Sequence, residues 1–293
     1  MTGFFNVYKE AGYTSHDVVA IVRKLTKGKA GHTGTLDPQA EGVLPVCLGR
    51  ATKLADMITG QFKTYVAEVM LGVTSDTGDM TGNIHSRRPV RFDEDAICKV
   101  VEQFRGPQMQ VPPMYSALKI GGKKLYELAR AGQTVERKPR AVTIEDIRVI
   151  EFRPADDCFI IDVTCSKGTY IRSLCMDIGE TLGTGAAMGA LLRTRSGDFS
   201  LDSALKITEI REAAESGGLD GLVLQVEDML VFPQAFVRAD GVIMAKNGNA
   251  LPFDLVELPR NYEGKVWLHG PDGLIGLYTV DTTAAKLRLE VMM

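Results

Sequence analysis

The sequence has little of what a metal site or a disulfide framework requires. Only five cysteines and four histidines occur among its 293 residues. The cysteines include no C-x-x-C pair, and the histidines form neither an H-x-x-x-H nor an H-E-x-x-H pattern. Because zinc sites and disulfide-rich folds repeat such spacings, we expect neither a bound metal nor a set of disulfides.

Two further absences concern membranes and secretion. No apolar run approaches the roughly eighteen residues that a membrane-spanning helix needs. The first ten residues, Met1–Glu10, lack the basic stretch and the sustained apolar stretch of a secretory signal. We therefore expect a cytoplasmic protein that does not work at a membrane.

The charges are nearly balanced overall but unevenly placed. A net charge of −3 argues against a protein that coats nucleic acid indiscriminately. Residues 111–140 nevertheless contain seven Lys or Arg and two Glu, whereas residues 201–230 contain seven acidic and two basic residues. Tyr115 and Tyr126 lie among the cations of the basic segment. Aromatic residues among cations suit looped or single-stranded nucleic acid, although a solvated charged face is the common alternative.

Apolar spacing predicts a mixture of helices and strands without a βαβ rhythm. Helices are predicted over residues 15–25, 93–104 and 171–182, the first with capping-box spacing between Thr14 and Asp17. Alternation predicts strands over 63–71 and 159–165, and Gly121-Gly122 predicts a hairpin turn. The fold class is therefore α+β with a mixed, mainly antiparallel sheet.

The last sixty or so residues have a different character. Short strand-like runs at 266–268, 274–278 and 287–291 are separated by glycines. Short strands with regular turns predict a small β-barrel or sandwich. We place the boundary before this unit near residues 232–237.

The segment 29–45 is the densest candidate for chemistry. It contains three glycines and two prolines, so we expect no regular structure across it. It carries His32 and Asp37, and loops that are costly to shape are often functional. The alternative is an ordinary Asp-Pro turn. A phosphate-binding loop is disfavoured because the G-x-x-x-x-G-K-[ST] pattern is missing.

Three other segments are candidates for a functional site. In the run Ser166–Arg172, Arg172 falls in the first turn of a predicted helix, where the helix dipole does not favour a cation. Either it is an ordinary surface arginine or it has a specific partner, for which a carboxylate is the natural choice. The runs Gln110–Lys119 and Thr74–Asp79 are the other two candidates. The alternative to a functional role is a rigid proline turn for the first and a simple Asx turn for the second.

Five runs occur along the chain in a fixed order. They are G-H-T-G-T-L-D-P-x-A-x-G-V-L-P, K-x-Y, S-D-T-G-D, V-P-P-M-Y-S-A-L-K-x-x-G-K-K-L-Y-E-x-A-R-x-G and C-S-K-G-T-Y-I-R-S-L. Taken together and in this order, they resemble the bacterial tRNA pseudouridine synthases of the TruB family. The resemblance extends from about Phe5 to Phe199, with a weaker match near the C-terminus.

The resemblance implies a fold and an activity. The fold would be a pseudouridine synthase domain over residues 1–232, with an RNA-gripping insertion at about 108–141, and a PUA-type RNA-binding domain over 233–293. The activity would be isomerisation of uridine 55 in the T-arm loop of tRNA to pseudouridine, by base flipping and without cofactor or metal. The partner would be tRNA alone, bound by a monomer.

The resemblance also implies roles for particular residues. Asp37 would act on the ribose, either as nucleophile at C1′ or as base at C2′. Arg172 would pair with Asp37, and Tyr65 would stack on the target base and is a candidate for removing the carbon-5 proton. The residues expected to bind substrate are His32, Tyr170, Lys9, Lys119, Lys123 and Lys124.

The sequence departs from the family pattern at three positions. Glu10 replaces a proline, Glu41 adds a negative charge near the site, and Leu192 replaces an arginine that would contact phosphate. Two other functions compete. One is a non-catalytic RNA-binding or RNA-folding protein on the same scaffold. The other is the catalytic subunit of a guide-RNA particle, for which a longer, more basic chain is expected.

Overall fold

The computed structural model describes residues 1–258 and 262–293, and its elements confirm an α+β fold. The helices are α1 (Ser15–Thr26), α2 (Ala55–Thr59), α3 (Glu94–Gln103), α4 (Leu125–Arg130), α5 (Ile171–Thr181), α6 (Ile207–Ser216), α7 (Val226–Met229) and α8 (Val242–Lys246). The strands are β1 (Gly3–Lys9), β2 (Ala30–His32), β3 (Glu41–Leu48), β4 (Lys63–Leu71), β5 (Val73–Ser75), β6 (Ile84–Arg87), β7 (Gly106–Gln110), β8 (Lys119–Ile120), β9 (Lys123–Lys124), β10 (Arg140–Arg153), β11 (Cys158–Cys165), β12 (Ala186–Ser196), β13 (Phe199–Ser200), β14 (Gln234–Val237), β15 (Leu251–Pro252), β16 (Val256–Glu257), β17 (Gly264–Gly270), β18 (Gly273–Asp281) and β19 (Lys286–Met292).

A nine-stranded sheet forms the larger unit. Its main path runs β1-β3-β12-β4-β11-β10-β7, with β2 added to β3 and β13 added to β12. The β12–β3 pair is parallel and the other pairs are antiparallel, which confirms a mixed, mainly antiparallel sheet. Helices α1, α3, α5 and α6 contribute to the apolar core on this sheet. Strand β12 lies near the middle and joins β3 to β4.

The predicted local elements form for the reasons that the sequence indicates. Helix α1 has a capping box in which Thr14 and Asp17 exchange side-chain and backbone hydrogen bonds. The same helix buries Val18, Val19 and Val22 on one face. Strand β4 alternates buried and half-buried residues along its whole length, as its period of two predicts.

The expectation that residues 29–45 contain no regular structure is wrong at both ends. Strands β2 and β3 include Ala30–His32 and Glu41–Leu48, so within this segment only Lys29 and residues 33–40 are irregular. Pro45 lies inside β3, and its carbonyl accepts the Thr33 N–H at 3.1 Å. Gly42 adopts a φ of +103°, which glycine tolerates. Long-range pairing therefore overrides the two local signals that predicted a loop.

The C-terminal strands form a separate six-stranded, barrel-like sheet of the expected PUA type. Its order is β15-β19-β18-β17-β14-β16. An apolar cluster that includes Phe4, Val43, Trp267 and Leu277 packs it against the larger sheet. The division of the chain at residue 232 stays a prediction. None of the helices among the described residues is long and apolar enough to cross a membrane.

Candidate active site

Asp37 lies in the short irregular segment between β2 and β3. The turn Asp37-Pro38-Gln39-Ala40 closes with a hydrogen bond from the Ala40 N–H to the Asp37 carbonyl at 3.1 Å. Proline at the second position of such a turn presets the backbone angle. The Asp37 side chain is 42% exposed. The fold therefore presents this carboxylate to a molecule outside the protein.

Arg172 lies at the start of α5 and pairs with Asp37. Its Nη2 is 2.9 Å from the Asp37 Oδ2, and only 5% of its side chain is exposed. The same guanidinium donates to the carbonyls of Thr77 at 3.0 Å and Tyr115 at 2.8 Å. The expectation of a carboxylate partner for Arg172 is confirmed, and Arg172 joins three loops of the site.

A second carboxylate completes the surroundings of Arg172. The Asp79 Oδ2 lies 3.7 Å from the Arg172 Nε. A buried guanidinium at a helix N-terminus is unfavourable unless anions and acceptors surround it. Asp37, Asp79 and the two carbonyls meet this requirement. The segment 74–79 is a candidate from the sequence, but Asp79 is not singled out there, because nothing local shows which residue of a polar loop faces inward.

Tyr65 lies in β4 with 8% of its surface exposed. Burial raises the pKa of its hydroxyl, and the charge of Arg193 opposes this rise. Arg193 occupies the position directly opposite Tyr65 in β12. Its side chain is buried and donates to the carbonyls of Val43 at 2.7 Å and Gly34 at 3.1 Å. No local pattern in the sequence indicates that Arg193 belongs to the site, so it is absent from the predicted residues.

His32 is half-buried at the end of β2. Its Nδ1 accepts the Gly34 N–H at 3.3 Å, and its ring meets that of His16 edge to face at 5.4 Å. Burial, helped by the charges of His16 and Arg193, lowers the pKa of His32 to about 4. The imidazole is therefore neutral at physiological pH, and it orders the segment that leads to Asp37.

Tyr170 precedes α5 and is held by Gln110 at the end of β7. The Gln110 side chain accepts the Tyr170 N–H at 2.8 Å and donates to its carbonyl at 3.0 Å. Burial raises the pKa of the Tyr170 hydroxyl, while Ser116, Arg140 and Arg172 act in the opposite direction. Residues of the predicted RNA-gripping insertion thus contact the start of α5 directly.

Lys9 lies beneath the Asp37 turn and has no exposed surface. Its Nζ donates to the carbonyls of Glu10 at 3.1 Å, Pro38 at 3.0 Å and Ala40 at 2.6 Å. Burial lowers its pKa to about 8. This burial corrects the prediction that Lys9 binds the substrate, because a side chain without exposed surface cannot contact RNA. Lys9 instead holds the turn that carries Asp37.

The basic hairpin lies apart from the ion pair. Lys119, Lys123 and Lys124 fall on the two-residue strands β8 and β9, as the glycine turn predicts. Lys119 and Lys123 are exposed, and Lys124 lies 5.4 Å from the Tyr126 ring centre. Among the described residues, no hydrogen bond or ion pair joins these lysines to Asp37 or Arg172.

The two acidic departures from the family pattern have different surroundings. The Glu41 Oε1 accepts the Tyr8 hydroxyl at 3.2 Å. Glu10 follows the buried Lys9, and its carbonyl is one of the three acceptors of the Lys9 Nζ. The turn therefore forms without the family's proline.

No group of three or more His, Cys, Asp or Glu side chains in residues 1–258 and 262–293 is arranged to hold a metal ion.

Comparison with known families gives two matches that together span residues 22–231. Residues 22–171 match the TruB family pseudouridylate synthase N-terminal domain, and residues 172–231 match the tRNA pseudouridylate synthase B C-terminal domain. The chain belongs to the TruB family. Asp37 and Tyr65 lie in the first of these regions and Arg172 in the second.

Curated relatives agree with this assignment. The chain is 53% identical over 212 residues to the tRNA pseudouridine synthase B of Alkaliphilus oremlandii, covering 72% of this chain and 70% of the relative. It is 45% identical over 268 residues to the enzyme of the same name from Bacillus subtilis, covering 89% and 85%.

Solved structures give the same fold. The chain resembles a chain of an H/ACA RNP bound to a substrate RNA containing 2′-deoxyuridine, with a TM-score of 0.72 and 26% identity. It resembles a chain of a Cbf5-Nop10-Gar1 complex with a TM-score of 0.72 and 28% identity. Each match covers 99% of this chain and 84% of the other.

Proposed function

We propose that this TruB family protein isomerises uridine 55 in the T-arm loop of tRNA to pseudouridine. The observation that carries the proposal is the Asp37–Arg172 pair, in which a largely buried guanidinium holds a carboxylate that is 42% exposed. Members of the family at 42–53% identity bear the name tRNA pseudouridine synthase B. The arrangement provides an anion that an external ribose can reach.

The first chemical step belongs to Asp37. An ionised carboxylate either attacks C1′ of the ribose or removes a proton from C2′, and both routes break the bond between the sugar and the uracil N1. Arg172 pairs with the carboxylate at 2.9 Å and restricts the side chain to one orientation. The hydrogen bonds of Lys9 to Pro38 and Ala40 fix the turn from which the carboxylate projects.

The target nucleotide must leave its loop before Asp37 can reach the sugar. Extruding a base costs a few kcal/mol, and stacking on an aromatic ring returns about 1–3 kcal/mol. Tyr65 provides that ring in our proposal, with Tyr170 beside Arg172. His32 enters the T loop, and its neutral imidazole suits contact with unpaired bases. After the uracil turns, its carbon 5 bonds to C1′. On the first route this displaces the Asp37 oxygen from C1′, and on the second Asp37 returns its proton to C2′. Carbon 5 then loses its proton.

Binding of the rest of the tRNA is assigned to two further regions. The insertion at about 108–141 would grip the RNA through Lys119, Lys123 and Lys124, which meet phosphates. The unit at 233–293 would bind RNA as PUA-type domains do. We propose that a monomer performs the reaction in the cytoplasm, without cofactor or metal.

Replacing one carboxylate tests the proposal. Asp37→Asn should bind tRNA nearly as well as the parent but release no tritium from carbon-5-labelled uridine in the T loop. Glu41→Gln, the same chemical change four residues away, should keep full activity. If Asp37→Asn retains turnover within about tenfold of the parent, which corresponds to about 1.4 kcal/mol of barrier, the role of Asp37 is wrong.

Each of the two competing functions predicts a different result from the proposed one in the tritium-release assay. A non-catalytic RNA-binding protein would release no tritium in the parent protein. The catalytic subunit of a guide-RNA particle would need partner proteins and a guide, so the isolated chain would leave unmodified tRNA unchanged. Turnover by the isolated parent chain excludes both.

A further inference from the structure

Arg193 carries a buried positive charge that has no acidic partner in the part of the chain described. Only 1% of its surface is exposed. Its hydrogen bonds go to two uncharged acceptors, the carbonyls of Val43 and Gly34. A buried guanidinium that lacks a carboxylate is costly, because its desolvation is offset only by dipoles. The roles proposed above for Asp37, Arg172 and Tyr65 do not use this charge.

The position of Arg193 in the sheet directs its charge toward Tyr65. In β12 it lies directly opposite Tyr65 of β4, and on its other side it pairs with Gly42 of β3. Residues directly opposite each other in an antiparallel pair project from the same face of the sheet. Arg193 therefore shares a face of the sheet with Tyr65, and its strand lies between the strand that carries Tyr65 and the strand that follows the Asp37 turn.

The neighbouring groups do not neutralise this charge. The charged or titratable side chains near Tyr65 are Arg193, Cys165 and Asp37. Of these, Asp37 is already paired with Arg172. On the Arg193 side, Lys63 donates to the carbonyls of Thr59 and Gln61, both at 2.7 Å, so it adds a second cation.

We propose that Arg193 is a positioning residue whose buried charge favours the ionised form of the Tyr65 hydroxyl, which then accepts the carbon-5 proton of the rotated uracil. This inference rests on the proposed function. Burial raises the pKa of Tyr65 overall, and among the neighbouring groups the charge of Arg193 opposes this rise most.

The proton and electron balance of the step is complete. When carbon 5 has bonded to C1′, its C–H bond breaks and the proton passes to the Tyr65 oxygen. The electron pair of that bond restores the double bond between carbons 5 and 6 of the uracil, and the pair that N1 had shared with carbon 6 since the bond between carbon 5 and C1′ formed returns to N1. N1, freed when the glycosidic bond broke, takes a proton from water. Tyr65 then returns its proton to solvent, so the net change is an isomerisation.

Three variants test the role of Arg193 on the full chain with tRNA. Arg193→Met removes the charge, Arg193→Lys keeps it, and Arg193→Gln removes it but keeps a hydrogen-bond donor. Single-turnover rates are measured with tRNA that carries hydrogen or deuterium at carbon 5 of the target uridine. Thermal unfolding and the tRNA dissociation constant are measured for each variant.

The expected pattern separates charge from packing. Arg193→Met and Arg193→Gln should slow the reaction at least about tenfold and show a larger deuterium isotope effect than the parent. Arg193→Lys should restore most of the rate and the parental isotope effect. If Arg193→Met does not fold, the comparison of Arg193→Gln with Arg193→Lys makes the same test.

Two results would overturn the inference. One is a slow Arg193→Gln variant with an unchanged isotope effect, because its defect would then precede removal of the proton. The other is Arg193→Lys being as impaired as Arg193→Gln, because geometry rather than charge would then matter. A parent protein that forms no pseudouridine would instead refute the proposed function, so the two failures are distinguishable.

Discussion

The two side chains of the Asp37–Arg172 ion pair differ in their exposure to solvent. The Arg172 side chain is 5% exposed and the Asp37 side chain 42%. A buried guanidinium with several acceptors has one geometry, whereas an open carboxylate gains little from a single partner in water. Fixing the guanidinium therefore orients the carboxylate without hiding it from a substrate.

His32 provides a residue-scale prediction about pH. Its pKa is about 4 in the folded protein against 6.5 for the ordinary group, so between these values the unfolded chain binds a proton that the folded one does not. The free energy of unfolding should therefore fall as the pH drops from 6.5 to 4, by up to about 3 kcal/mol. Protonation would also remove the acceptor of the Gly34 N–H.

Urea unfolding at a series of pH values measures this effect. His32→Asn, which keeps a side-chain acceptor near the position of Nδ1, should lose less stability between pH 6.5 and 4 than the parent. His85→Asn removes an exposed histidine and should follow the parental curve. Equal losses in the parent and His32→Asn would mean that His32 is not the titrating group.

At the scale of elements, β12 connects the two halves of the site. It pairs with β4, which carries Tyr65, and with β3, which follows Asp37. The parallel β12–β3 contact is short and centres on Gly42 and Arg193. A Cβ at Gly42 would lie 2.2 Å from the Arg193 carbonyl oxygen. The close approach of these two strands therefore depends on glycine.

Gly42→Ala should destabilise the protein by several kcal/mol, because it combines a steric overlap with an unfavourable φ of +103°. Gly217→Ala is the matched control. Gly217 also has a positive φ, at +76°, but a Cβ added there would have no atom within 4 Å beyond its chain neighbours. It should cost about 1–2 kcal/mol. Urea unfolding measures the loss in free energy of unfolding for both variants. Equal losses for Gly42→Ala and Gly217→Ala would show that β3 and β12 separate easily.

The hairpin of β8 and β9 gives a second prediction at this scale. Lys123→Ala with Lys124→Ala should weaken tRNA binding and reduce the slope of log affinity against log salt by about 1.5, because two phosphate contacts are lost. Lys206→Ala with Arg211→Ala removes the same charge from the acidic segment and should leave the slope unchanged. Filter binding at several salt concentrations measures both. A parental slope in the hairpin variant would show that these lysines do not contact phosphate.

At the scale of the whole molecule, apolar packing joins the two sheets. The only tryptophan of the chain, Trp267, lies in β17 with 1% of its surface exposed. Its indole N–H donates to the Leu230 carbonyl at 2.8 Å, and its ring meets Phe232 edge to face at 5.8 Å. The cluster around it includes Phe4 and Val43 of the larger sheet.

Because that cluster is shared, the two units should unfold together. Trp267 fluorescence reports the junction, and far-ultraviolet circular dichroism reports the whole chain. In urea, the two transitions should coincide, as they do for a cooperative two-state change. A fluorescence transition at distinctly lower urea than the dichroism transition would show that the C-terminal sheet detaches first, and it would support an independent unit over 233–293.

The sequence by itself determined those features of the protein that local interactions along the chain produce. The capped helix α1, the alternation of β4 and the glycine turn between β8 and β9 follow from neighbouring residues. The segment that carries His32 and Asp37 also stands out by its own composition, and the ordered runs around it indicate the TruB family.

Only the tertiary structure decided which distant groups meet. The positions of Asp79 beside Arg172 and of Arg193 opposite Tyr65 depend on how segments far apart in the chain are brought together. The burial of Lys9 depends on the carbonyls of a turn about thirty residues away. Such contacts leave no periodic or compositional pattern, because backbone carbonyls are alike in every sequence and only the fold selects which of them a cation reaches.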